Sequence, residues 1–118
     1  MSFLRSALLT AKNHVVAASR ARRLAAMSDQ NESPSNVVFY HRVADTQPND
    51  WTISRAQFRQ HIDYFQEHFR TVSLSEVQKR VATSQACDPT ISVTFDDGYK
   101  ENVDFALPLL VERKIPCA

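Results

Sequence analysis

The sequence predicts an α/β fold in which parallel strands alternate with helices and deliver functional groups to one rim. Three observations predict it. Ile91, Val93 and Phe95 alternate with Ser92 and Thr94 in a strand that stops at Asp96, Asp97 and Gly98, and helical periodicity follows. Val37, Val38, Phe39 and Tyr40 form a second β-prone run, closed by His41. Between the two, Ser54 with Gln57 and Ser73 with Glu76 have the spacing of capping boxes, each ahead of an apolar stripe of helical period. A strand that ends in acids and leads into a helix is where open α/β sheets and barrels carry their chemistry.

The chain has 118 residues, 43% of them apolar and 23% charged, which allows one domain with a modest core. Its net charge of +1 conceals an asymmetry. Residues 1–27 hold five basic side chains and no acid, whereas residues 28–118 hold nine basic and thirteen acidic ones, a net −4. A folded part that is acidic argues against nucleic acid as a partner. Cys87 and Cys117 lie thirty positions apart, outside any close-spaced metal or redox motif, and are expected as free thiols.

Residues 1–35 read as a basic N-terminal helix, roughly 3–26, followed by a polar linker from Ser28 to Ser35. The helix sets Leu4, Leu8, Leu9, Val15, Val16 and Leu24 among alanines and arginines, a pattern compatible with weak contact to an anionic membrane surface or a targeting segment, and equally with a peripheral or poorly ordered helix that has no partner. Thr10, Lys12 and Asn13 interrupt its apolar run, so it falls short of a signal peptide, and no run approaches the ~18 apolar residues of a membrane span. The compartment stays open on this reading.

Residues 36–118 are the folded part. Val37–Tyr40 is expected as a buried first strand. The loop Asp45–Trp51 follows, and its sole tryptophan either lines a groove, offering a flat apolar face to a sugar ring, or plugs the loop against the core. Phe58, Ile62, Phe65 and Phe69 share one face of the next helix. His61 and His68 on that helix are about 10 Å apart along the axis, too far to hold one ion, and are expected in solvent. Arg70–Ser73 is a short strand, and Leu74, Val77 and Val81 mark the core face of the helix after it. Beyond Gly98, Val103, Ala106, Leu107 and Leu110 give helical periodicity, with a kink or restart at Pro108. Cys117 and Ala118 are expected to begin another strand.

If the strands before His41 and Asp96 are parallel neighbours, His41, Asp96 and Asp97 converge on one rim; otherwise His41 simply bonds loop backbone. Two adjacent carboxylates suit a division of labour, one holding a divalent cation and the other taking a proton from the attacking water. Asp-Asp-Gly also occurs in ordinary turns. A haloacid-dehalogenase-type phosphotransferase wants an aspartate two positions after the first, where this chain has Gly98.

The longer pattern is more specific. Thr94-Phe95-Asp96-Asp97-Gly98-Tyr99 resembles the first motif of the polysaccharide deacetylases, the NodB-homology or carbohydrate esterase family 4 domain. Phe39-Tyr40-His41-Arg42-Val43, the segment Phe58–Val77, Ala106-Leu107-Pro108-Leu109-Leu110 and Ile115-Pro116-Cys117-Ala118 are similar to that family as well. The resemblance implies a partial, deformed (β/α) barrel and a metal-dependent hydrolase that removes N-acetyl or O-acetyl groups from carbohydrate polymers. It implies Asp96 as catalytic base and Asp97 as ligand of a divalent metal, commonly zinc, with His41, Trp51 and Tyr99 as candidate lining residues. The family's His-x-x-x-His ligands do not occur among His14, His41, His61 and His68. The expectation is therefore the N-terminal portion of such an enzyme, inactive by itself. The alternative is a non-catalytic carbohydrate-binding or membrane-peripheral fragment.

Overall fold

A computed structural model describes residues 16–23, 25–26, 34–83 and 88–118. Residues 16–23 and 25–26 are helical and exposed; the rest of the N-terminal helix, most of the polar linker and Cys87 lie outside the described residues. Cys117 is exposed and free. No described helix is long and apolar enough to cross a membrane.

The centre is a parallel sheet of β1 (Ser35–Tyr40), β4 (Arg70–Thr71) and β5 (Thr90–Phe95), in the order β1-β5-β4. Tyr40 pairs with Phe95, so β1 and β5 end level, and the Asp96 N–H donates to the Tyr40 carbonyl at 2.8 Å. Two-residue strands β2 (Arg42–Val43) and β3 (Thr52–Ile53) pair in parallel across the intervening loop. At the C-terminus Cys117 bridges Val93, with Phe95 N–H donating to Ala118 and Ala118 N–H to Val93. Val72 N–H donates to Ile91, the next carbonyl down on that side of β5, so the Cys117 bridge lies on the same edge of β5 as β4, just beyond its end. The described strands form an open parallel sheet; barrel closure is not part of it.

Helix α1 (Arg55–His68) starts at a complete capping box, with Ser54 Oγ accepting from Gln57 N–H and the Gln57 side chain reaching back to Ser54 N–H. Its stripe falls as expected: Phe58 and Ile62 are buried and Phe65 packs beside them. Helix α2 (Leu74–Thr83) has half of its box, since Ser73 Oγ accepts from Glu76 N–H while the Glu76 carboxylate turns to Arg80. One core joins Val43, Phe58, Ile62, Val93, Ala106, Leu109, Leu110 and Ile115, flanked by Val38, Tyr40, Ile53 and Phe95. Burial of Tyr40 pushes its hydroxyl up to about 12, and that hydroxyl is hydrogen-bonded to His61 Nδ1 at 2.8 Å.

Three expectations change. β1 is not buried on both faces: Val38 and Tyr40 meet the core, while Val37 and Phe39 on the opposite face are left largely uncovered by the described residues. Val81 is exposed, because Arg80 is the residue in that turn of α2 that tucks in, held by Asp88. The last helix presents Asn102, Ala106, Leu109 and Leu110 inward, leaving Val103 and Leu107 on the outside. Asn102 turns inward with its amide bonded to the His41 carbonyl and the Val43 N–H, and it opens a π-helical turn over Asn102–Ala106 in which Leu107 N–H donates to Asn102. Helix α3 (Leu107–Glu112) then restarts with Pro108 in its first turn, where a missing N–H costs nothing.

Candidate active site

Because β1 and β5 end level, the residues just past them share one rim. Asp96 follows β5 directly. Asp97 and Gly98 then both take left-handed backbone, with φ of 65° and 59°. A β-carbon on Gly98 would meet nothing within 4 Å, so glycine serves the conformation there and not the space. Asp97 holds the same region as a non-glycine residue, a strain that tends to gather at functional sites.

The turn brings the Asp97 carboxylate back over the rim. His41 Nε2 lies 3.8 Å from Asp97 Oδ2 and 3.9 Å from Asp96 Oδ2. The imidazole is largely covered, at 18% exposure, whereas the two carboxylates are open to solvent at 53% and 65%. Trp51 covers His41 from the loop, with ring centroids 4.6 Å apart, and Phe39 meets it edge-on at 5.8 Å. Trp51 remains 62% exposed, so it lines an open surface and does not plug the loop.

Tyr99 is half-buried, and its carbonyl accepts from Asn102 N–H. Among the described residues its hydroxyl makes no hydrogen bond to His41, Asp96 or Asp97. Of the five candidates, four are thus gathered on the rim. His61 is engaged with Tyr40, and His68 lies 3.8 Å from Glu67; neither joins the group.

Three further residues hold the rim together. Arg42 is buried beside His41; its Nη1 donates to the carbonyls of Thr46 and Gln47 and to Thr52 Oγ1, while Nε and Nη2 both donate to Glu101. The Arg42 hydrogen bond keeps the Glu101 carboxyl below its ordinary range. Asn102, also buried, donates from Nδ2 to the His41 carbonyl at 2.6 Å and accepts at Oδ1 from Val43 N–H at 2.9 Å. Sequence reasoning missed all three. For Asn102 a signal existed: it is a polar residue four positions before Ala106 and eight before Leu110, in line with an apolar stripe.

As a metal site the arrangement is incomplete. Aspartate and histidine are suitable donors, but among the described residues no group of three His, Cys, Asp or Glu side chains is placed to hold an ion.

Comparison with solved structures decides the fold. IcaB from Ammonifex degensii is similar over 72% of this chain, with a TM-score of 0.65 and 33% identity. The chain has part of the polysaccharide deacetylase fold. A de-N-acetylase from Aggregatibacter actinomycetemcomitans shares the deacetylase fold at a TM-score of 0.59 and 22% identity, over 70% of this chain. The chain spans about a third of each of these relatives, 36% and 35% of their lengths. No family model and no curated protein sequence matches.

Proposed function

We propose that this chain contributes one rim of an active site that removes N-acetyl groups from a carbohydrate polymer. The carrying observation is the convergence of Asp96, Asp97 and His41 within 4 Å at the level ends of two parallel strands. The similarity to IcaB and to a de-N-acetylase supports the choice of reaction.

In this reading Asp96 is the general base. Its carboxylate takes a proton from water as the water oxygen bonds to the acetyl carbonyl carbon. Collapse of the adduct breaks the C–N bond, the proton passes to the departing nitrogen, and acetate and a free amine remain. Trp51 supplies an apolar platform for a sugar ring. Asp97 is the residue of this chain that would bind a divalent cation, zinc by the resemblance. The donors described are too few to hold it unaided, and no step above depends on it.

The test is acetate release from an N-acetylated chito-oligosaccharide, with zinc supplied. It compares a longer protein carrying this segment in a closed barrel with the 118-residue chain, which by itself should be inactive. Asp96→Asn should lower the rate of the longer protein by about 100-fold or more while cation binding persists. Full activity in that variant would sink the assignment of the base.

A second reading follows from the exposure of Trp51: a carbohydrate-binding segment without catalysis. Polysaccharide retention undiminished in Asp96→Asn, with no acetate released by any form, would favour it.

A further inference from the structure

We propose that Asn102 is a positioning residue, which with the Arg42–Glu101 pair latches the rim of β1 to the turn after Gly98 and so fixes His41 over the two aspartates. The latch joins segments about sixty positions apart. Asn102 spends both halves of its amide on the two peptide groups that flank Arg42, donating to His41 C=O and accepting from Val43 N–H. It is 7% exposed, and a buried amide left without those partners would carry the cost of desolvation. The bonds therefore define where the His41 backbone stands.

Asn102 stands at the first position of a π-helical turn. That turn spans Asn102–Ala106, and single π turns inside helices are frequent at functional sites. Next to it Glu101 takes two hydrogen bonds from Arg42, whose remaining nitrogen holds the carbonyls of Thr46 and Gln47. That grip shapes the loop on which Trp51 sits. One short segment, Glu101-Asn102, thus sets both His41 and the indole stacked on it. Asn102 touches neither aspartate; it acts through His41.

The consequence for catalysis rests on the deacetylase reading, but the latch has its own readout. Trp51 is the sole tryptophan, and at 4.6 Å its ring current must shift the ring protons of His41. Histidine-labelled 118-residue chain gives few ring signals by NMR, and Trp51→Leu identifies the shifted one. Asn102→Leu, which has neither donor nor acceptor, should lose more than half of that shift while the Ile62 and Leu110 methyl signals keep their folded positions. Asn102→Asp retains the acceptor for Val43 and lacks the donor for His41, so an intermediate loss is expected. Loss of the shift supports the latch even where no acetate is released. A full shift in folded Asn102→Leu, or in Asn102→Asp if the leucine variant does not fold, overturns it even where activity falls.

Discussion

The imidazole of His41 and the indole of Trp51 stack at 4.6 Å between ring centroids, tilted by 36°, and the indole keeps its outer face in solvent. An exposed tryptophan held against a covered histidine is better placed to meet a ligand than to fill a core. Trp51→Ala should therefore cost only about 0.5–1.5 kcal/mol of stability, the size of one aromatic pair. The same change should weaken chito-oligosaccharide binding about fivefold or more, near 1 kcal/mol. Urea denaturation and titration calorimetry measure the two effects. Unchanged affinity would remove Trp51 from the sugar platform.

Leu110 and Val111 are neighbours with opposite fates. Leu110 is fully buried among Val93, Phe58 and Ile62, whereas Val111 is 66% exposed. Leu110→Ala should destabilise by about 2–5 kcal/mol, combining lost transfer energy with a cavity. Val111→Ala should stay within about 0.5 kcal/mol. Against a typical stability of about 5–15 kcal/mol, the first change can unfold much of the population. Equal urea midpoints for the two variants would contradict the inward placement of Leu110 on α3.

The strand, the capping box at Ser54 and the acid pair were legible because each is written in a run of a few residues. Convergence of His41 on Asp96 and Asp97 needed only one further step, that their strands be parallel neighbours, and the register of Tyr40 on Phe95 supplies it. What was not legible is long-range. Arg42 reads as a surface cation until Glu101, fifty-nine positions later, and three loop acceptors bury it. Val103 and Leu107 fit a 3.6-residue period as well as Asn102 and Leu109 do, and what marks the inward pair is long-range, the bonds of the Asn102 amide to His41 and Val43. The exposure of Phe39 on β1 escaped for a related reason, since a strand's composition does not say which of its faces other elements will cover.

At the opposite end of the sheet, Asp88 ties α2 to the start of β5. Its carboxylate accepts from Arg80 Nη2 at 3.0 Å and from Arg70 Nε at 2.6 Å. The Arg80 hydrogen bond is the main cause that lowers the Asp88 pKa from 3.8, with Arg70 adding to it against the opposing effect of burial. A depressed folded pKa contributes stability that is present above about 3.8 and is lost as pH falls through the lower, folded value. The carboxylate is 40% exposed and screened, so the expected contribution is about 1 kcal/mol or less. Urea midpoints of the wild type should exceed those of Asp88→Asn at pH 6, and the difference should shrink as the pH is lowered from 3.8 through the lower, folded value. A difference that persists at low pH would assign the effect to packing instead of charge.

Gly98 separates backbone conformation from space in the turn that carries Asp97. Its φ of 59° is left-handed, yet an added β-carbon would find open room. Gly98→Ala should therefore cost about 1–2 kcal/mol, the penalty of that region for an L-residue, with no further steric term. Asparagine tolerates the region better, so Gly98→Asn should cost less than Gly98→Ala despite its larger side chain. Urea denaturation orders the three proteins. If asparagine proved the more costly of the two, size and not φ would govern the position. If alanine cost nothing, the turn would be able to relax, and the 3.8 Å approach of Asp97 to His41 would not depend on the glycine.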